Sequence, residues 1–157
     1  MFSLTPMEIF FRCIPESILL VLGIYVFSKK EFCKKILLQN IFYLAIGIII
    51  IRSLPISYGI HTMLIICLLI LLATSIGKID VTATVRAAVM VMLTLSISEF
   101  INITWIRYVL RKDLDTIFGN IDSKIIYGIP SLMIMGFAIY LAYEFYYKRI
   151  KERDRKQ

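Results

Sequence analysis

The sequence predicts an all-α polytopic membrane protein with five transmembrane helices, its N-terminus outside and its C-terminus inside. Three observations lead there. Hydrophobic residues make up 59% of the 157 residues and charged ones 18%, against roughly 45–50% and about 25% in a soluble domain. A water-soluble fold of this size leaves too much surface exposed to hide that apolar content. The apolar residues gather in runs of about 20, the helix length that crosses a bilayer core of about 30 Å. The breaks between runs are short, and Lys and Arg crowd onto alternate breaks. The same composition excludes a disordered chain, and three scattered Cys exclude a disulfide scaffold.

The first span is expected at about Glu8–Phe27. No basic stretch precedes it and no small-residue cleavage site follows, so it reads as a span and not as a removed signal. Pro15 lacks an amide donor and frees the carbonyl of Phe11, which predicts a kink beside Glu16. The basic break Ser28–Lys35 leads to a second span, Ile36–Leu54. The turn Ser53–Ser57, with Pro55, leads to a third, Tyr58–Gly77, where Gly77 suits a helix C-terminus. The fourth span is Thr84–Ile106 and the fifth Ile125–Tyr147. Runs such as Ile46–Ile51 and Leu64–Leu72 do not alternate polar with apolar, as barrel strands would. Such runs must satisfy their backbone internally, as helices. Between the last two spans, 107–124 carries Leu110, Leu114, Ile117 and Phe118 on one helical face, predicting an interfacial helix on the outer leaflet, with a cap over the outer polar groups as the alternative. The tail 148–157 is basic and extends the fifth helix by about two turns. The whole chain, 1–157, reads as one transmembrane domain.

Orientation follows from the basic residues. One side holds Lys29, Lys30, Lys34, Lys35, Lys78, Arg86 and six in the tail; the other holds Arg12, Arg52, Arg107, Arg111, Lys112 and Lys124. Twelve of the 18 thus fall on one side, which is expected to be cytoplasmic. The net charge of +7 is then a topology signal with some attraction to anionic lipid heads, not a nucleic-acid-binding surface. The expected location is a bacterial cytoplasmic membrane.

Applied to the spans, this orientation puts most intramembrane polar groups in the outer half: Arg12 and Glu16, Arg52, Tyr58 and His61, and Ser98, Glu99 and Asn102. The inner halves are nearly bare, with Gln39, Asn40 and Glu144 near the boundary. Charges inside a span cost about 2.5–3.5 kcal/mol each at the centre and point to function. Arg12 and Glu16 share a helix face at i, i+4. Acids at 16 and 99 and bases at 12 and 52 are placed to pair across the bundle. The eight residues are the expected lining of an outward-facing polar ligand pocket; snorkelling arginines or ion pairs that only fix helix register are the structural alternative.

No catalytic motif is present: no H-E-x-x-H, no G-x-S-x-G and no P-loop. His61 and Cys67 are six residues apart and do not share a helix face, so no thiol dyad is expected on that helix. One His and two carboxylates are too few for a typical metal site, and no cofactor is expected. Ala138 and Ala142 give one small-x-x-x-small face, compatible with an oligomer.

The stretches Phe11–Leu20 (FRCIPESILL), Arg52–Thr62 (RSLPISYGIHT) and Ser96–Asn102 (SISEFIN) resemble the multi-helix membrane sensor regions of Gram-positive, clostridial histidine kinases of the accessory-gene-regulator type. The resemblance covers most of the chain. It implies that an extracellular peptide or small-molecule ligand is read from outside and passed inward along the last helix. Such kinases continue into a helix with a phospho-accepting His and an ATP-binding domain, whereas the tail 148–157 has no His. The expectation is a free-standing, non-enzymatic sensor or regulatory subunit acting through a cytoplasmic or membrane protein partner. The alternative is a small transporter or its substrate-binding subunit, which would expose Glu16 and Glu99 to each side in turn.

Overall fold

The computed structural model describes residues 13–30, 33–54, 58–108 and 121–154. These form five α-helices and, among the described residues, no strand: α1 (Ile14–Ser28), α2 (Lys34–Ser53), α3 (Tyr58–Ser75), α4 (Val81–Tyr108) and α5 (Ile121–Asp154). Successive helices run in opposite directions. Glu16 meets Arg52 while Tyr25 meets Asn40, so α1 and α2 are antiparallel. Pro15 and Leu19 lie against Ile129–Met133, and Val26 lies near Tyr143, so α1 and α5 are parallel.

α1 is the central helix. It packs on α2, α4 and α5 and touches α3; α2–α3, α3–α4 and α4–α5 close an arc around it. The arc is open between α2 and α5, where Ile18 of α1 reaches the surface. Leu20, Val21, Ile24, Tyr25 and Val26 of α1 are buried against Leu44 and Ile48 of α2, Leu69 and Leu72 of α3, Ala87, Ala88 and Val91 of α4, and Met135 and Ile139 of α5. Small residues set the crossings. A Cβ on Gly23 would come within 2.7 Å of Val91 Cγ2, so α1 and α4 touch backbone to side chain there.

Seen from outside, the usual soluble pattern is reversed. Phe42, Ile50, Met63, Leu71, Phe100, Met133, Phe137 and Phe145 are exposed, whereas Glu16, Ser17, Asn40, Thr84, Ser98, Asn102 and Ser131 are buried. That much exposed apolar surface suits lipid and not water.

Among the described residues, three helical segments are by length and composition long and apolar enough to cross a membrane: Lys34–Ser53, Val81–Tyr108 and Gly128–Tyr146. Ile14–Ser28 and Ile60–Ser75 are apolar but shorter. Of the expected first span, residues 8–12 lie outside the described residues, as do Pro55 and 109–120 of the expected outer amphipathic segment. α4 begins earlier than expected, at Val81, because Asp80 caps it: Thr84 N–H donates to the Asp80 carbonyl at 2.9 Å. α5 extends past the expected span at both ends, starting at Ile121 and continuing to Asp154. Pro130 sits within it, and Ser131 Oγ donates to the Gly128 carbonyl at 2.7 Å.

One expectation about a turn changes in detail. Gly77 does not supply a left-handed residue after α3; Lys78 does, at φ 49°. Gly77 is required instead by closeness, since a Cβ there would lie 2.5 Å from the Ala73 carbonyl oxygen and 3.0 Å from the Tyr25 hydroxyl. α1 likewise ends on a left-handed Lys29 (φ 62°), with Lys30 N–H donating to Tyr25 O and Lys29 N–H to Val26 O. This is the hydrogen-bond pattern of a Schellman cap, usually closed by Gly. Pro15 stands in the first turn of α1, next to Cys13, which is helical by its dihedrals and part of a wider π-type turn.

Candidate functional site

The antiparallel path brings the start of α1, the end of α2, the start of α3 and the last third of α4 to one end of the bundle. Glu16 lies in the first turn of α1 and Arg52 in the last turn of α2. An acid at a helix N-terminus and a base at a C-terminus each complement the helix dipole. With α1 and α2 antiparallel, the two face each other. Arg52 Nη2 stands 2.5 Å from Glu16 Oε2, with the side chains 20% and 10% exposed. The other guanidinium branch, Nη1, donates to Cys13 Sγ at 3.6 Å. Cys13 is fully buried and three residues before Glu16, on the same helix face. On α2, Asn40, Leu44, Ile48 and Arg52 follow every fourth residue, and the first three are buried, so one row of that helix is turned to the core.

His61 is in the first turn of α3 and half-buried. Its Nδ1 is buried and has no hydrogen-bond partner among the described residues. On α4, Ser98 and Asn102 belong to the buried row Thr84, Ala87, Ala88, Val91, Ser98, Asn102 and Ile106. The Ser98 hydroxyl donates to the Thr94 carbonyl at 2.8 Å, so its proton is engaged within its own helix. Glu99 is exposed, one position round the helix from that row. The fold thus gathers Glu16, Arg52, His61, Ser98 and Asn102 at one end, with Cys13 added, and sets Glu99 on the outer face. Tyr58 is the first residue of α3; Arg12 lies outside the described residues.

Two concavities lie elsewhere. Two apolar grooves of about 380 and 360 Å³ run along the α1–α5 seam, and none of the eight candidate residues lines either. At the end where the candidates gather, the Glu16–Arg52 ion pair lies between α1 and α2.

The opposite end holds a polar contact that sequence reasoning passed over. Asn40 Nδ2 donates to the Tyr25 hydroxyl at 2.9 Å, with both residues buried. Asn40 Oδ1 is buried without a hydrogen-bond partner among the described residues. The signal was available in the every-fourth-residue row of α2, where Asn40 stands in line with Leu44, Ile48 and the ion-paired Arg52. Nearby, Lys30 Nζ donates to the Lys78 carbonyl at 3.3 Å, tying the α1–α2 break to the α3–α4 break. Lys29 Nζ lies 4.9 Å from the Tyr146 ring centroid. Cys33 and Cys67 are exposed. Among the described residues no three His, Cys, Asp or Glu side chains cluster as metal ligands. No protein-family model matches this sequence, and neither a curated protein nor a solved structure matches the chain.

Proposed function

We propose that the chain is an integral membrane protein crossing the bilayer five times, with its N-terminus outside and its C-terminus in the cytoplasm. In this reading it is a non-enzymatic sensor or regulatory subunit that reads an extracellular ligand at the Glu16–Arg52 end of the bundle. The observation that carries the reading is His61 Nδ1, buried with no hydrogen-bond partner among the described residues, at the same end as a largely buried ion pair. Unpaired buried polar atoms in native structures ask for an explanation, and an absent ligand is one. A ligand that hydrogen-bonds His61 or competes for the Arg52 guanidinium would loosen α1 from α2. α1 also packs along α5, and α5 runs on to Asp154 as a basic helix, which gives the movement a path to a cytoplasmic partner.

The test is thermal stability of the purified chain in nanodiscs, screened against peptides and small charged metabolites, alongside Glu16→Gln, His61→Ala and Glu99→Gln. A ligand that stabilises the wild type but neither Glu16→Gln nor His61→Ala supports the site. Stabilisation that survives both substitutions moves the site elsewhere. Variants that are merely less stable, with no ligand found, make the cluster a packing device. Orientation is tested with a membrane-impermeant thiol reagent on cells: Cys33, exposed in the basic break, should label only after the membrane is opened.

A further inference from the structure

The open side of the helix arc exposes a seam between α1 and α5. Its groove on the Lys29 side is lined by Leu19, Leu22 and Val26 of α1 and by Gly136, Ile139 and Tyr143 of α5. Gly136 keeps the floor low: a Cβ there would already touch Leu19 Cδ2 at 3.4 Å. One helical turn beyond Val26 and Tyr143, the groove ends at Lys29, whose ammonium lies over the Tyr146 ring. A cation in this position is held by the ring quadrupole and stays at the mouth. Leu19 to Lys29 spans about 15 Å of helix, roughly half of a bilayer core about 30 Å thick. The seam is therefore an apolar channel one leaflet deep with a positive charge at its open end.

We infer that this groove binds a single anionic phospholipid, one acyl chain lying between α1 and α5 and the phosphate beside Lys29. Charge selects the occupant. A transmembrane helix of a partner or a second copy would fill the apolar groove but leave Lys29 with no counter-charge, whereas an anionic headgroup sits at the depth of the ammonium. Tyr140 and Tyr143, at the groove's edge and partly exposed, are residues suited to the headgroup boundary. The inference rests on the chain lying in a bilayer, and is independent of any ligand at the Glu16–Arg52 end.

The experiment is native mass spectrometry of the delipidated full chain in detergent, with phosphatidylglycerol and phosphatidylcholine supplied in equal amounts. One basic residue near the membrane surface favours the anionic lipid by about fivefold, and that is the expected adduct ratio for the wild type above any diffuse preference. Lys29→Gln should lower the ratio about fivefold, while Lys34→Gln, exposed in the same basic region, should leave it unchanged. Gly136→Val, which fills the groove, should reduce adducts of both lipids; Leu22→Trp fills it from the other wall should the first variant fail to fold. Equal losses in Lys29→Gln and Lys34→Gln would mean attraction to the whole basic surface and overturn the proposal. A wild-type ratio near one would do the same, as would a dimer that carries no lipid, which would assign the seam to a second copy.

Discussion

α1 is tied to α2 twice, once near each end, and the two ties use opposite chemistry. At the end that holds His61 the tie is ionic: Arg52 against Glu16, with Cys13 taking the second guanidinium branch. At the other end it is neutral: Asn40 donating to Tyr25. In a medium without water the ionic tie is expensive to break. An abandoned guanidinium cannot shed its charge, while an abandoned carboxyl can take up a proton and become neutral. The neutral tie has no such penalty, and the Asn40 Oδ1 already lacks a partner among the described residues. The ionic end is thus the one whose state a bound molecule can shift by a large free energy, and the neutral end is the one that can hold register cheaply.

The largest effects should come from breaking the ionic tie on one side only. Removing one partner of a buried pair costs about 3–5 kcal/mol, measured by reversible unfolding in mixed micelles. Glu16→Leu should cost more than Arg52→Leu, because it leaves the guanidinium behind. The double variant Glu16→Leu/Arg52→Leu should recover most of the loss, since well-packed apolar groups replace buried ion pairs at little cost. A double variant as unstable as Glu16→Leu alone would mean that the tie is not the source of the effect.

Much of this end was legible in the sequence and little of the other. Charged residues inside apolar runs stand out one by one, and the alternating path of short connections puts 16 and 52 at the same level. Which charges meet was not legible. Glu99 is one residue from Ser98, yet that single step of about 100° moves it from the buried row to the exposed face. Cys13 became a guanidinium partner because it shares a face with Glu16, a relation visible in the spacing, although nothing in the sequence marks a Cys in an apolar run as such a partner. The Tyr25–Asn40 tie was missed because both residues are ordinary near a membrane boundary. Only the depth of their helices shows that they are buried. Sequence likewise shows polar residues converging on one end, but not which of them pair and which face outward.

A second pair of variants sharpens the comparison through glycine. A Cβ on Gly47 would overlap Leu68 Cδ2, a closer approach than the 2.5 Å that separates a Cβ on Gly77 from the Ala73 carbonyl oxygen. The shorter contact should nevertheless be the milder one, since Leu68 can change rotamer and a helical carbonyl cannot move. Gly77→Ala should cost about 1–3 kcal/mol and Gly47→Ala less, by the same unfolding measurement. Because Gly77 also abuts the Tyr25 hydroxyl, adding Tyr25→Phe to Gly77→Ala should cost less than the sum of the two. Strict additivity would separate Gly77 from the neutral tie.

Breaking the neutral tie itself should be a smaller matter. Tyr25→Phe removes one neutral hydrogen bond and leaves the Asn40 amide buried, a loss of about 1–3 kcal/mol. Tyr25→Phe/Asn40→Leu should return close to the wild type, since neither polar partner remains. A Tyr25→Phe loss as large as that of Glu16→Leu would erase the distinction between the two ends.

The smallest effect is expected at the surface beside the neutral end, where it reads out as pH dependence. Asp80 caps α4: the Thr82 hydroxyl and the Ala83 and Thr82 backbone N–H groups donate to its carboxylate and hold its pKa below the ordinary value of 3.8. A carboxyl whose folded pKa is depressed adds stability that is fully present above its unfolded pKa. That stability is lost as pH falls through the folded value. Asp80→Asn should therefore flatten a shallow decline in unfolding temperature that the wild type shows below about pH 4, and change little near pH 7, because Asn also caps helices well. Asp80→Ala should lower stability at neutral pH as well, by loosening the first turn of α4 and with it the Lys78 carbonyl that Lys30 reaches. A wild-type decline that persists unchanged in Asp80→Asn would place the acid-sensitive group elsewhere.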